Sequence, residues 1–395
     1  MAEAQRLLVL GAGRHQAPLI RQAEQRGICT VALDPYPDSP GKRVASIAAD
    51  GDALDAQRAL EVAREHRVDG VTTVGTDQPV LVMAQVAAAL GLPCHLDEAG
   101  ALAATNKAAM GPALRDAGVP MPHSVTLDPM SDPASLPMPD LPCVVKAADS
   151  QGQRGMSIVR SEHDLHDAIA RARPVSRTST VMVEHFHEGP ELTITAWISD
   201  GRAVIAAPLD RITVNPPPSI GICLQHVYPS VHGDDDAPFR AIAESVARAF
   251  GVRRGPLYIQ AIVSNDGYRV IEAASRVGGG HEAQLFPRLM TFDLLDRTID
   301  LALGRPEGPV RIEPIIASGL VNFIVLSPGR VVGLSDFAPL IAEGLVDEGA
   351  WYIRPGHEQG PIVDSMDRVG YFIVTSPDRR ATLDRARQAY AALEA

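Results

Sequence analysis

Only three lysines occur in this chain, Lys42, Lys107 and Lys146, and two of them stand in segments whose chemistry suits a triphosphate. Lys107 lies in AATNKAAMGPALRDAGVPMP, and Lys146 ends the apolar run LPCVVK just before the polar, glycine-bearing stretch DSQGQRGMS. An ammonium is a compact point charge that reaches between phosphate oxygens, where a planar guanidinium fits differently, so arginine does not freely replace it. A strand-borne lysine followed by a loop of small residues can lay backbone N–H groups over phosphates while the lysine neutralises them. The stretch is not a Walker A loop, because the lysine precedes the glycines and no GK[ST] is present. Taken alone, it also fits a plain hairpin.

The segments downstream narrow the choice. In VMVEHFHEGPELTI, Glu184 and Glu191 flank the short connection His187-Glu188-Gly189-Pro190. An acid at a strand end can accept from an exocyclic amine, and a second acid further on can accept from ribose hydroxyls. Two strand-like runs, GPLYIQAIV and YRVIEAAS, are joined by SNDG, and the Asp266-Gly267 dipeptide makes them a hairpin. Gln260 and Glu272 fall on its two strands, so two oxygen-bearing side chains can face one pocket, as a hard divalent cation requires. Arg276 follows, and its fork suits a transferring phosphoryl group or an acyl phosphate. His226 and His281 fit packing or hydrogen-bonding roles better than that of a base. GAGRHQ with Asp34 invites a dinucleotide-binding reading, but Gln16 stands where the third glycine is needed, so a tight strand-to-helix turn is the better account.

These residues need a scaffold. RLLVLGAG and ICTVALD read as buried strands around a helix at 15–26, and helix 53–66, strand VDGVTTVG, helix 78–90 and the short GLPCHL continue the alternation. Residues 1–104 are therefore expected to form a Rossmann-like parallel α/β lobe. Residues 105–182 read as a small lobe, 183–305 as a larger lobe carrying the hairpin, and 306–395 as a mostly β segment closed by a helix at 377–393. The 46% hydrophobic and 21% charged content is that of a globular protein. A net charge of -12 argues against nucleic acid or an anionic membrane as main partner. The four cysteines are scattered, with no CxxC pair, and no apolar run is long enough to span a bilayer, so a cytoplasmic location is expected.

Taken in order, the NK segment before GVPMP, VVKxxxSxGxRG, VExFxxGxE and the acid-x-x-x-Arg-x-Gly-Gly stretch resemble the ATP-grasp superfamily over nearly the whole chain. NPPPSIGICLQHVYPS and WYIRPGHEQGPIVDSMDRVGYFIVTS resemble segments of L-amino-acid ligases, and Gln260 matches the glutamine that carbamoyl phosphate synthetases use. The resemblance implies a pre-ATP-grasp lobe, a two-lobed ATP-grasp fold and a C-terminal lobe. It puts Lys107 and Lys146 on ATP phosphates and Ser150, Gly152, Arg154 and Gly155 in a mobile lid running from Ser150 to Ser157. Glu184, His185 and Phe186 go to adenine, and Glu191 to ribose. Gln260 and Glu272 hold Mg2+, for which Mn2+ can substitute, and Arg276 acts with Lys146 on the transferred phosphate. His226, Arg276, Gly278, Gly279, Gly280 and His281 line the substrate pocket.

Two departures bear on the metal: many members carry an acid where Gln260 stands, and Ala274 replaces the asparagine of the usual E-x-N-x-R. The implied activity is ATP-dependent joining of a carboxylate to an amine, of amino acid or dipeptide type, through an acyl phosphate with release of ADP and Pi. The partners are small-molecule carboxylate and amine, with no nucleic acid, no membrane and a possible homodimer. The alternatives are a carboxyphosphate-forming enzyme of the aminoimidazole ribonucleotide carboxylase type and a nucleotide-binding protein that has lost turnover.

Overall fold

The computed structural model describes residues 4–131, 140–150, 152–217, 219–265 and 267–394. Its first lobe is built on a four-stranded parallel sheet in the order Ile47–Asp50, Cys29–Asp34, Arg6–Leu10, Gly70–Thr72. Parallel strands buried on both faces need continuous apolar runs, and Leu7 to Leu10 and Val31 to Leu33 supply them. The turn after the first strand is closed from within. Asp34 accepts from the Ala12 N–H at 2.8 Å, and the Gln16 amide donates to the Val74 carbonyl at 2.5 Å. The position a third glycine would hold is thus filled by a side chain that ties two loops together. GLPCHL does not continue the sheet. It is an irregular stretch containing Pro93, and it leads to Asp97, whose side chain caps helix Glu98–Thr105 through the Gly100 N–H.

The second sheet is antiparallel, in the order Ser124–Leu127, Val181–His185, Cys143–Ala147, Ser157–Val159. Alternation decides its faces. Cys143, Val145, Val181 and Val183 pack with Leu165, Ala168 and Ile169 of helix Glu162–Ala172, which leaves Val144, Lys146 and Glu184 on the opposite face.

The third sheet has eight strands, in the order Gly267–Ala274, Gly255–Ser264, Glu191–Ser199, Arg202–Val214, Ile222–Tyr228, Ser318–Ile324, Gly370–Ser376, Glu348–Trp351, each antiparallel to its neighbours. Strands from residues 318–376 extend the sheet begun at residue 191. Along Glu191–Ser199, Leu192, Ile194, Ala196 and Ile198 join the core around helix Ala237–Phe250. Trp197 joins the core on the other face, with Leu285, Phe286 and Ile299 of helices Glu282–Leu289 and Leu294–Ala302. Among the described residues no helix is long and apolar enough to cross a membrane.

Candidate active site

A cleft of about 490 Å3 opens between the polar face of the small sheet and the first strands of the large one. Lys146 enters it from the strand Cys143–Ala147, with Nζ 2.6 Å from Glu184 Oε2 and 3.4 Å from the Ile271 carbonyl. Lys107 enters as the first residue of helix Lys107–Asp116, whose N-terminus is fixed by the Asn106 side chain accepting from the Ala108 and Ala109 N–H groups. Its Nζ lies 2.8 Å from Glu272 Oε1 and donates to the Ser150 carbonyl at 2.6 Å. Burial opposes the charge on both members of this pair. Glu272 outweighs it for Lys107, whose pKa is raised. Lys107, with Lys146 and Arg276 behind it, holds Glu272 below the usual carboxylate range.

Gln260 and Glu272 are direct cross-strand partners beside a register shift. Asp266, of the turn joining their strands, lies outside the described residues. Both side chains line the cleft. The Gln260 Nε2 is engaged by Tyr258 OH at 3.1 Å, leaving the amide oxygen. Lys107 engages one oxygen of Glu272, leaving the other. Two adjacent hard oxygens fit magnesium, which keeps several waters and takes further ligands from phosphates. Among the described residues no group of three or more His, Cys, Asp or Glu could hold a metal.

Gly152, Arg154, Glu191 and His185 to Glu188 also line the cleft. Gln151, within the expected lid, lies outside the described residues. Glu191 is held by a residue without a sequence signal: Arg211 Nη1 lies 2.6 Å from its Oε2, and Thr213 donates to its Oε1 at 3.3 Å. The N–H groups of His185 and Phe186 donate to the carbonyls of His123 and Pro142, at 2.9 and 3.2 Å.

The expected substrate residues gather in a second place, where the three lobes meet. Arg276 donates to Asp77 of the first lobe, Nε to Oδ1 at 2.6 Å, and its guanidinium lies 5.1 Å from the centre of the Tyr258 ring. Gly280 must be a glycine, because a Cβ there would sit 2.3 Å from the His226 ring. His226 is buried, with Nδ1 3.2 Å from Glu282 Oε1. Burial opposes its charge, but Cys223 and Glu282 outweigh it and lift its pKa to about 9. His281 takes a left-handed backbone conformation, φ 63. Its Nε2 lies 2.6 Å from Tyr352 OH, and its ring stacks on Tyr371 with centroids 3.5 Å apart. Burial and then His15, Arg368 and Arg14 push its pKa well below 6.5, so it is neutral. Asp77 came with no local motif, and Arg14, His15, Tyr352 and Arg368 lie in GAGRHQ and WYIRPGHEQGPIVDSMDRVGYFIVTS without any signal that singles them out, since each meets the site across lobes.

The ATP-grasp domain family matches residues 139–284, and the family described as L-amino acid ligase C-terminal domain 2 matches residues 322–395. The uncharacterized protein y4rH of Sinorhizobium fredii is 28% identical over 284 residues, 69% of this chain, which spans only 57% of that protein. A formate-dependent phosphoribosylglycinamide formyltransferase of Burkholderia lata is 28% identical over 334 residues, 77% of this chain and 78% of the relative. Among solved structures, the L-amino acid ligase from Bacillus licheniformis superposes with a TM-score of 0.82 at 18% identity, covering 100% of this chain and 98% of that one. Residues 139–284, which carry the strand-borne lysine over the cleft and the Gln260–Glu272 hairpin, thus form an ATP-grasp domain, and residues 322–395 match a last lobe of the L-amino acid ligase type.

Proposed function

We propose that the chain is an ATP-dependent carboxylate–amine ligase that forms an amide of amino acid or dipeptide type through an acyl phosphate. The observation that carries this reading is the pairing of Lys107 and Lys146, from different elements, with Glu272 and Glu184 around one cleft. In this reading ATP lies in that cleft. Lys107 and Lys146 neutralise its phosphates, the loop 152–157 covers them, Glu184 and the segment through Phe186 face adenine, and Glu191 faces ribose. Glu272 and Gln260 would hold Mg2+, which would supply charge neutralisation to the phosphates.

A substrate carboxylate oxygen takes the γ-phosphoryl group, ADP leaves, and the amine then displaces phosphate from the acyl carbon and loses a proton. Most of the rate enhancement is positioning and charge neutralisation. Asp77 orients Arg276 toward the transferred group while Arg276 adds its charge beside Glu272. A screen of phosphate release over amino acids, singly and in pairs, with mass spectrometry of the products, tests the reading. ADP and Pi should appear in equal amount with an amide. AMP and pyrophosphate would refute the acyl phosphate route, and ATP hydrolysis driven by bicarbonate alone would favour the carboxyphosphate alternative.

A further inference from the structure

Most arginines of the lobe junctions have an acid beside them: Arg211 has Glu191, Arg276 has Asp77, and Arg254 has Glu307. Arg14 and Arg368 do not. Arg14, in the turn after the first strand, lies 4.0 Å over the Tyr352 ring, and its Nε lies 3.4 Å from His15 Nε2. Arg368, in the last lobe, lies 3.9 Å over the Phe323 ring and donates to the carbonyls of Ser365 at 2.8 Å and Cys223 at 3.4 Å. Among the described residues, neither guanidinium has a carboxylate within ion-pair distance.

The two come from opposite ends of the sequence to one wall of rings. His281 links them, with its ring centroid 6.2 Å from that of Tyr352 and 6.0 Å from that of Phe323, and it follows directly on Arg276 and the glycines 278–280. Both guanidiniums are half-buried. Two like charges, withdrawn from water and facing aromatic and neutral imidazole rings, are costly unless an anion joins them. Burial lowers the pKa of each; Tyr352 pulls both back in part, Cys223 does the same for Arg368, and the charge of Arg14 again lowers that of Arg368. The same field reaches His15, held down to about 3 by burial and then by Arg14, Arg368 and Arg276.

We propose that Arg14 and Arg368 clamp an oxyanion of the substrate, so that the enzyme selects a substrate bearing a carboxylate or phosphate group separate from the reacting one. The geometry suits it: two planar forks from different lobes can each direct two N–H donors at one anion, while Tyr352 and His281 supply neutral polar edges. The clamp rests on the ligase reading for its place in the reaction, but its anion can be tested without turnover.

The test measures binding of L-aspartate, L-asparagine and O-phospho-L-serine to the full chain with excess ADP and Mg2+, by calorimetry, for the wild type, Arg14→Gln and Arg368→Gln. All three keep the reacting carboxylate, so the wild type should bind at least one of the probes with an added anion and bind asparagine much more weakly. Preference for aspartate identifies a carboxylate, and preference for phosphoserine a phosphate. Each variant should lose about tenfold or more in affinity for the preferred probe, since a charge-assisted bond to the anion is removed.

Without probe, each variant should melt close to the wild type, because relief of repulsion between two like charges offsets the lost ring contact and, for Arg368, the lost bonds to two carbonyls. A merely structural role predicts a lower melting temperature. The clamp is overturned if the wild type binds no anionic probe, if the variants bind as the wild type does, or if they melt several degrees lower. If no acid and amine pair gives an amide while the variants still lose anion binding, the ligase reading fails and the clamp stands. If ligation proceeds with an unchanged KM in both variants, the clamp alone fails.

Discussion

Lys146 and Glu184 each leave 8% of the side chain exposed and lie 2.6 Å apart, so either residue mutated alone strands a charge in the cleft wall. Breaking a buried pair from one side costs roughly 3–5 kcal/mol, whereas replacing both partners by apolar groups of similar volume is often neutral. Lys146→Met should therefore lower the stability of the chain by about that much, and Lys146→Met with Glu184→Met should recover most of it. Turnover should be lost in both. Urea unfolding beside phosphate release separates the two effects: Glu184 itself faces adenine in the ligase reading, so the role of Lys146 is read from the single variant, which should lose turnover under conditions where it remains folded. Lys146→Arg keeps the charge and should still be impaired, since a guanidinium differs in shape and reach. Lys42, the third lysine, is accounted for by its 2.6 Å contact with Asp50 in the first lobe.

The loop before strand Ser157–Val159 reaches the last lobe: the Ser365 N–H donates to the Gly152 carbonyl at 3.2 Å, and the Gln153 amide meets the Ser365 hydroxyl. Gly155 in this loop has φ +68, and a Cβ there would lie 3.0 Å from Val175. Left-handed backbone costs a non-glycine residue roughly 1–2 kcal/mol, so Gly155→Ala should slow turnover about fivefold to thirtyfold. The melting temperature should hold, because no strand pairing depends on the loop. Hydrogen exchange with and without an ATP analogue should show protection of 152–157 in the wild type and less in the variant. Equal protection in all samples would mean the loop is not a nucleotide-ordered lid. Elements of this kind were legible where local signals agree. Helix Ala237–Phe250 ends at Gly251 in the left-handed region, and the alternation in GPLYIQAIV and YRVIEAAS matches the observed hairpin strands. Strand Ile222–Tyr228 was hidden behind a proline-rich run, and helix Glu282–Leu289 behind Pro287. Strand Ile47–Asp50 has four residues with one buried, too few to show a period. Arg276 and Asp77 carry no shared pattern at all, since their meeting depends on how the lobes dock.

That docking places neutral imidazoles at the joints between lobes. His15 of the first lobe lies against His281, with ring centroids 5.9 Å apart, and His95 Nε2 lies 3.2 Å from the Ser275 carbonyl. Burial lowers the pKa of His15 to about 3 and that of His95 to about 4, the latter against the pull of the Ser275 carbonyl. His281 is likewise held well below 6.5. The unfolded chain takes up these protons near pH 6.5 and the folded chain does not, so the stabilisation is complete above pH 6.5 and is lost as pH falls toward the folded values. His226 has the opposite shift, to about 9, so below pH 6.5 it is charged in both states and adds no slope. Each imidazole kept neutral contributes roughly 1.4 kcal/mol per pH unit in that window, and the slope of unfolding free energy between pH 6 and 5 should approach the value for two to three protons. Carboxylates titrate mainly below that range. His15→Gln should lower the slope by about one proton and leave the stability near pH 7 little changed; above that, stability declines toward pH 9 in both chains, because folded His226 keeps a proton that the unfolded chain has lost. A wild-type slope below one proton, measured by urea unfolding across the window, would mean that these rings reach water and that the lobes are not docked at these joints.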